Sequence, residues 1–284
     1  MDLKKLGYDF SSQYFNIDGH NLHYIDEGAG EVIVMLHGNP TWSFYYRNLI
    51  QHFSKTHRVI VPDHMGCGLS DKPQDYNYSL NRRVSDVEKL LKFLGVERFK
   101  LIVHDWGGAI GFGLATLTDM KADKIVITNT AAFTSDYIPW QINIVKKKPL
   151  GPFLVKYFNG FCWPATFMTT VKKLPRFVKQ AYLMPYKKLS DRVAINQFVQ
   201  DIPMSKEHKS YKTLKEIEER LKDLDSEKLI LWGKKDFCFN DYFLNRWKDI
   251  YPESKFVEYE DAGHYLFEDK SAGTIGEIER FFVS

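Results

Sequence analysis

Short runs of aliphatic and β-branched residues alternate with amphipathic segments along most of this chain. Runs of this kind predict β-strands, here at 13–17, 22–25, 32–36, 59–62, 101–104, 125–128, 229–231 and 256–259. The first two runs flank Asp18 and Gly19, which predicts an antiparallel hairpin. Apolar residues recur at steps of three and four between 84 and 94 and again from about 268 to 282, which predicts two helices. The whole pattern is typical of an α/β fold, with a mostly parallel eight-stranded sheet covered by helices on both faces.

The alternation of strands and helices stops between residues 135 and 224. This interval contains helical segments punctuated by prolines, and no strand-like run. An interruption of this length within a sheet predicts an inserted subdomain. We therefore predict a first part of the core at 1–134, a helical cap subdomain at 135–224 and a second part of the core at 225–284.

The formal net charge of +3 conceals an uneven distribution. Residues 141–190 contain nine lysines, one arginine and no Asp or Glu, and aromatic residues are interleaved with them. One interpretation is a lid over a pocket, with solvated lysines outside and aromatic side chains inside. The other is a docking face for a membrane surface or for an acidic or biosynthetic partner. Nucleic acid is not an expected partner, because no recognised nucleic-acid motif accompanies the basic stretch.

The cysteines and the N-terminal segment bear on the compartment. Cys67, Cys162 and Cys238 form an odd, scattered set without a CxxC pair, which favours a reducing environment over a disulfide framework or a zinc site. The N-terminal segment lacks the apolar core of a signal peptide, and the longest apolar runs are only as long as a strand. We therefore expect a cytoplasmic protein that needs no metal or organic cofactor.

A predicted strand, a sharp turn and a predicted helix meet in residues 100–110 (KLIVHDWGGAI). Gly107 and Gly108 supply the small residues that a strained, nucleophile-bearing turn requires. Asp105 occupies the position of the nucleophile, and its carboxylate is ionised at pH 7, so it can attack carbon without help from a base. The alternative is that Asp105 only caps the helix that begins near Trp106.

Two later segments provide partners for this carboxylate. Residues 229–238 (LILWGKKDFC) form a strand followed by Asp236, and residues 259–265 (YEDAGHY) form a strand followed by His264. The order nucleophile, acid, histidine is that of the α/β-hydrolases, so we predict this fold with Asp105 as nucleophile, Asp236 orienting the histidine and His264 as general base. Asp241 and Asp225 are weaker candidates for the acid, because one lies in the next predicted helix and the other precedes the strand.

An anion site is predicted beside the nucleophile. The turn at 37–43 (HGNPTWS) follows a strand, and in this fold the residue after its His-Gly pair and the residue after the nucleophile donate the two oxyanion-hole N–H groups. Here they are Asn39 and Trp106, whose side-chain N–H groups could point at the same place. The alternative is that Asn39 is only a turn residue and Trp106 only a core residue.

The chain resembles the haloalkane dehalogenases in residues 37–43, 62–73 (PDHMGCGLSDKP) and 104–108 (HDWGG). Asn39 with Trp106, and an acid at Asp236, resemble the third subgroup; the second subgroup would have a glutamate where Asn129 stands. Within that subgroup the chain is most similar to the β-lactone decarboxylases of long-chain olefin biosynthesis. The segments that carry this second likeness are 66–73, 129–133 (NTAAF), 138–141 (IPWQ), 200–203 (QDIP) and 236–239 (DFCF).

The leading hypothesis from sequence is a haloalkane dehalogenase-like hydrolase. The resemblance implies that Asp105 displaces halide and that a water activated by His264 hydrolyses the alkyl ester. The alternative is a cis-β-lactone decarboxylase that uses the same residues on another small apolar substrate. Two further hypotheses are an epoxide hydrolase and a non-catalytic binding protein. The first would use lid tyrosines from among Tyr137, Tyr157, Tyr182 and Tyr186; the second usually lacks a triad member.

Overall fold

A computed structural model describes residues 3–283 and contains a single eight-stranded sheet among them. The strands are β1 (Ser12–Ile17), β2 (His20–Glu27), β3 (Val32–Leu36), β4 (Arg58–Pro62), β5 (Arg98–Asp105), β6 (Lys121–Thr130), β7 (Glu227–Gly233) and β8 (Lys255–Tyr259). Their order across the sheet is β1-β2-β4-β3-β5-β6-β7-β8. β1 pairs antiparallel with β2, and β2 with β4, while every other neighbouring pair is parallel. The predicted hairpin and the mostly parallel α/β sheet are confirmed.

Helices cover the sheet and fill the long interval between β6 and β7. The α-helices are α1 (Arg47–Phe53), α2 (Leu80–Phe93), α3 (Trp106–Leu117), α4 (Trp140–Lys146), α5 (Leu150–Phe158), α6 (Cys162–Met168), α7 (Arg176–Leu183), α8 (Val193–Gln200), α9 (Tyr211–Arg220), α10 (Asp241–Ile250), α11 (Leu266–Asp269) and α12 (Ser271–Val283). Short 3-10 helices lie at Lys4–Leu6, Ser43–Tyr46, Met184–Tyr186, Ser190–Arg192 and Leu221–Asp223. No helix within residues 3–283 is both long and apolar enough to cross a membrane.

The central strands separate two hydrophobic cores. In β3, Ile33 and Met35 pack into one core, whereas Val34 and Leu36 pack into the other, and all four are fully buried. Because successive side chains of a strand point to opposite faces, a strand covered on both faces needs apolar residues at every position. This explains why the strands are continuous apolar runs in the sequence.

The interval 131–226 consists of helices joined by loops and has no strand. Helices α4 to α8 follow the loop after β6, and α9 packs on α3, where Gly113 leaves room for Ile217. The division of the chain at 135 and 224 remains a prediction. Helix α9, near the end of the predicted cap range, thus packs against α3, a helix that covers the sheet.

The predicted single helix at 268–282 is instead two helices, α11 and α12, which separate at Lys270. Lys270, which follows α11, has φ −134° and ψ 35°, a conformation that is not helical. The carboxylate of the neighbouring, buried Asp269 accepts hydrogen bonds from the backbone N–H groups of Gly263, Val171 and Lys172. Contacts with distant residues of this kind have no signature in the periodicity of the sequence.

Candidate active site

Asp105 is the last residue of β5 and immediately precedes α3. Its backbone has φ 52° and ψ −128°, a left-handed conformation that non-glycine residues rarely adopt. The neighbouring chain comes so close that a Cβ at Gly38 would overlap the Asp105 carboxylate, and a Cβ at Gly107 would overlap the Leu36 carbonyl. The glycines of this turn and of the turn after β3 are therefore required by close packing around the acid.

The Asp105 carboxylate faces the turn after β3 and makes no hydrogen bond that caps α3. Its Oδ1 accepts a hydrogen bond of 2.6 Å from the backbone N–H of Asn39. Burial raises the pKa of Asp105, and this effect exceeds the lowering by His264 and by hydrogen bonds from the backbone of Asn39 and Trp106. Asp105 occupies the N-cap position of α3, but its side chain makes no capping hydrogen bond, which counts against the interpretation that it only caps the helix.

His264 lies between two carboxylates, which come from opposite parts of the sequence. Its Nδ1 is 2.7 Å from Asp236 Oδ2, and its Nε2 is 3.6 Å from Asp105 Oδ2. Burial lowers the pKa of His264, but the negative charge and hydrogen bond of Asp236, together with the charge of Asp105, raise it overall. The structure thus brings the three predicted triad residues together at the carboxyl ends of β5, β7 and β8.

The two weaker candidates for the acid lie elsewhere. Asp241 is at the start of α10, where its exposed carboxylate pairs with Lys234 at 2.6 Å. Asp225 is exposed and precedes β7, at the amino end of that strand. Neither residue contacts the histidine.

Asn129 supports the acid, a contact that the sequence did not reveal. Its Nδ2 donates to Asp236 Oδ2 at 3.0 Å, while its Oδ1 accepts from the backbone N–H of Gly233 at 2.8 Å. The backbone N–H of Cys238 donates to the other carboxylate oxygen of Asp236 at 2.6 Å. In sequence, Asn129 served only to exclude a glutamate at this position. The sequence did contain one signal for this contact: Asn129 is a polar residue at the end of a buried strand, next to the strand that carries Asp105.

The two predicted anion donors, Asn39 and Trp106, both lie beside Asp105, but their side-chain N–H groups differ in whether they already have an acceptor. One Nδ2 hydrogen of Asn39 is used, because this atom donates to the carbonyl of Ile195 in α8 at 3.1 Å. Trp106 is partly buried, and its ring packs against Phe198 with centroids 5.4 Å apart. Among residues 3–283 the Trp106 indole N–H meets no acceptor. The Trp106 indole and the second Asn39 Nδ2 hydrogen are therefore available to an anion.

A cavity of about 390 Å³ lies above these residues. This volume falls within the usual range for small-molecule sites. Asp105, His264 and the two anion donors line its floor. Its walls are apolar side chains from α4, α5, α6 and α8 and from the segment after β7. Tyr137, Trp140, Ile144 and Met168 line the cavity and are also exposed, so they mark its mouth.

The tyrosines that an epoxide hydrolase would need are not paired over the nucleophile. Of the four candidates, only Tyr137 lines the cavity within the described part of the chain, and its hydroxyl accepts a hydrogen bond from Asn240. Tyr182 is buried with its hydroxyl on Glu268, and Tyr186 is buried with its hydroxyl on Gly68. This arrangement offers no pair of hydroxyl donors to an epoxide oxygen.

Comparisons with known proteins identify relatives over nearly the full length. Residues 31–271 match the family model for the alpha/beta hydrolase fold. The chain is 42% identical to the cis-3-alkyl-4-alkyloxetan-2-one decarboxylase of Shewanella oneidensis, over 96% of this chain and 89% of that protein. It is 38% identical to the enzyme of the same name from Xanthomonas campestris, over 97% of each. Identity to haloalkane dehalogenase 2 of Mycobacterium tuberculosis is 27%, over 96% of each.

Solved structures agree on the fold. The haloalkane dehalogenase DbeA from Bradyrhizobium elkani superposes with a TM-score of 0.84 at 21% sequence identity, over 96% of this chain and all of that one. A loop variant of DbeA gives a TM-score of 0.87 at 19% identity, over 97% of each chain. At this level of identity the likeness establishes the architecture and not the reaction.

Proposed function

Because the chain belongs to the α/β-hydrolase fold family, we propose that it uses Asp105 to convert cis-β-lactones with two alkyl substituents into alkenes and carbon dioxide. The observation that carries this proposal is the similarity, over nearly the whole chain, to two proteins named for that reaction. Identity to them is 42% and 38%, compared with 27% for a haloalkane dehalogenase. This reverses the order of the two hypotheses drawn from sequence, in which haloalkane hydrolysis came first.

The first step that we propose is attack by Asp105 on the ring carbon that bears the lactone oxygen. A bond forms between a carboxylate oxygen and this carbon while the carbon–oxygen bond of the ring breaks, and both electrons of that bond remain on the lactone carboxylate. The strain of the four-membered ring favours opening, and the product is an ester of Asp105 with a free carboxylate two carbons away. Attack on the carbonyl would instead give an anhydride.

The second step removes Asp105 without water. The free carboxylate loses carbon dioxide, the released electron pair forms the carbon–carbon double bond, and the ester bond to Asp105 breaks to regenerate its carboxylate. Attack inverts the ring carbon, and an anti elimination follows, so the substituents that were cis on the ring are cis on the alkene. Atoms, charge and electrons balance with no cofactor.

The anion donors and the histidine have distinct parts in this proposal. Asn39 and Trp106 would hold the carboxylate that ring opening releases, because hydrogen-bond donors fixed where charge develops stabilise the transition state. His264, oriented by Asp236, would hold Asp105 ionised and in place despite the burial that raises its pKa. The apolar walls of the cavity would receive the alkyl chains.

A second function, hydrolysis of haloalkanes, is favoured by one observation. The available N–H groups of Trp106 and Asn39 beside a buried carboxylate are also suited to a leaving halide. In that reaction the alkyl ester of Asp105 has no carboxylate to expel, so a water activated by His264 would have to hydrolyse it.

One comparison tests the proposed function. The protein is supplied with a cis-dialkyl β-lactone, its trans isomer and a series of 1-bromoalkanes, and kcat/KM is measured for alkene formation and for bromide release. We expect the cis-lactone to exceed every bromoalkane by at least about tenfold in kcat/KM and to give the cis alkene. Asp105→Asn is the matched inactive variant, and Asp225→Asn is the active control. A preference for bromoalkanes by orders of magnitude would overturn the proposal.

A further inference from the structure

The surface around the cavity mouth is both aromatic and basic. Helices α5 and α6 each line the cavity with some residues and expose large aromatic side chains with others, and α4 exposes Trp140, which also lines the cavity. We call this surface, together with α7, the mouth face. Its exposed aromatic residues include Trp140, Phe153, Phe158, Trp163, Phe167 and Phe177, which are 49–69% exposed. Its cations include Lys147, Lys148, Lys156, Lys173, Arg176 and Lys179, and residues 141–190 contain no acid.

A second, shallower cavity of about 270 Å³ lies on this face, and we call it the basic groove. Rings of Trp163 and Phe167 line it together with three cations, Lys173, Arg176 and Lys179. The Nζ of Lys179 is 3.6 Å from the centre of the Phe167 ring. Because Pro164 and Met168 of α6 line the first cavity, this one helix separates the basic groove from the cavity mouth. A basic groove therefore adjoins the mouth of the apolar cavity.

We propose that the mouth face docks on a membrane that contains anionic lipids, with the basic groove against the headgroups and the cavity mouth against the acyl chains. Exposed tryptophan and phenylalanine side chains partition into the boundary between headgroups and acyl chains, and lysines are attracted to anionic headgroups. Lysine stems can also lie along apolar surface while the ammonium group stays hydrated. The face combines these features, and residues 141–190 contain no acid to oppose them.

A membrane fits this face better than a protein partner does. Protein interfaces are enriched in aromatic residues and arginine but depleted of lysine, whereas here nine of the ten cations in 141–190 are lysines. A purely solvated lid fits less well, because solvation of the lysines does not account for six large aromatic side chains in water around one opening. The inference does not depend on which reaction occurs at Asp105. It implies that a lipophilic substrate enters the cavity directly from the bilayer.

Flotation of the full chain with lipid vesicles tests the proposal. Vesicles of phosphatidylcholine alone are compared with vesicles that contain about one third phosphatidylglycerol, at low and at high salt. We expect binding to the anionic vesicles at low salt, and binding reduced by at least about tenfold on neutral vesicles or at high salt. Intrinsic fluorescence should shift to the blue on binding, and Trp140→Phe with Trp163→Phe should remove most of that shift.

Matched variants separate this face from general charge and hydrophobicity. Lys173→Glu with Lys179→Glu should lower the partition coefficient by at least about tenfold. Lys55→Glu with Lys121→Glu makes the same change of charge at exposed positions before β4 and at the start of β6, the opposite edge of the sheet, and should leave binding unchanged. Phe158→Ser with Phe177→Ser should weaken binding, whereas Phe93→Ser, on α2, should not.

Two results would overturn the proposal. One is the absence of binding to anionic vesicles at low salt, which would leave a soluble partner as the occupant of the face. The other is equal loss of binding in the Lys173/Lys179 and Lys55/Lys121 double variants, which would reduce the effect to net charge. Thermal unfolding of each variant shows that the folded protein is being compared. Turnover of a β-lactone dispersed in detergent should be retained by the Lys173/Lys179 and Phe158/Phe177 double variants, whose side chains do not line the first cavity. This measurement keeps the outcome separate from that of the proposed reaction.

Discussion

Three side chains at the carboxyl edge of the sheet, Asp105, Asp236 and His264, form a buried line of two carboxylates and one imidazole. Each was predictable from sequence because it follows a strand, and the carboxyl ends of parallel strands meet at one edge. Asn39 and Trp106 were predictable for the same reason. What the sequence could not provide was the hydrogen bond from Asn39 to Ile195, because that contact joins residues 156 positions apart.

Replacement of His264 distinguishes the two proposed reactions within one site. With a bromoalkane, His264→Gln should accumulate a covalent ester on Asp105 and lose about 10²–10⁴-fold in turnover, because no general base activates water. With a cis-β-lactone, the same variant should still release alkene, since decarboxylation expels Asp105 without water. Intact mass and alkene yield are the measurements, and Asp105→Asn should give neither adduct nor alkene. An anhydride on Asp105 would contradict attack on the ring carbon.

The raised pKa of His264 predicts opposite effects of pH on stability and on hydrolysis. The folded state binds a proton on His264 more tightly than the unfolded state does. The resulting stabilisation is full below the ordinary histidine pKa of about 6.5 and is lost as the pH rises through the folded-state value, with a slope of at most about 1.4 kcal/mol per pH unit. Hydrolysis of a bromoalkane needs neutral His264, so its kcat should rise over that same range.

Urea unfolding of the wild type and of His264→Gln at several pH values between 6 and 9 measures the first effect. The difference in unfolding free energy between the two proteins should change in favour of the variant as the pH rises. A difference that changes in favour of the wild type would mean that the environment of His264 disfavours its protonation.

Asn129, at the end of β6, hydrogen-bonds the end of β7 and the acid that follows it. Asn129 has φ 35°, a left-handed conformation in which Asn is tolerated, and its amide spans from Gly233 to the Asp236 carboxylate. Asn129→Ala and Asn129→Gly both remove the amide, but only glycine suits the backbone. We expect both to lower the unfolding free energy by about 1–3 kcal/mol and to reduce kcat of bromoalkane hydrolysis, with Ala the worse.

Urea unfolding and steady-state kinetics of the Asn129→Ala and Asn129→Gly variants measure these two effects. If Asn129→Gly retained wild-type kcat and stability, the backbone conformation of Asn129 would be the important feature and its contact with Asp236 would not.

The elements were more predictable than their ends. Every predicted strand exists. The central strands are buried on both faces and are therefore apolar at each position, which leaves a continuous run in the sequence. The edge strands β1 and β8 are mostly exposed or half-buried. The break between α11 and α12 at Lys270 was missed, and the buried Asp269 beside it makes its hydrogen bonds to Val171 and Lys172 in the helical insert. Local periodicity contains no information about a contact nearly one hundred residues away.

For the molecule as a whole, the sheet provides a rigid floor and the helical insert provides the walls of the cavity. The sequence indicated an insert and its charge, since both are compositional. The volume of the cavity and the position of its mouth could not be predicted, because they depend on how α4, α5 and α6 pack against one another. Those two quantities determine which substrates fit.

The cavity predicts how the rate depends on chain length for a series of cis-β-lactones with alkyl substituents of increasing length. Each methylene buried against the apolar walls contributes about 0.8 kcal/mol, which corresponds to about a fourfold gain in kcat/KM. A cavity of about 390 Å³ has room for roughly a dozen small groups at about 30 Å³ each, the volume of a water molecule in the liquid. The gain should therefore stop once the chains pass the mouth at Trp140 and Met168. Leu154→Ala enlarges the interior and should move the plateau to longer chains, whereas Phe93→Ser, outside the cavity, should not. A kcat/KM that did not change with chain length would mean that the alkyl groups bind outside this cavity.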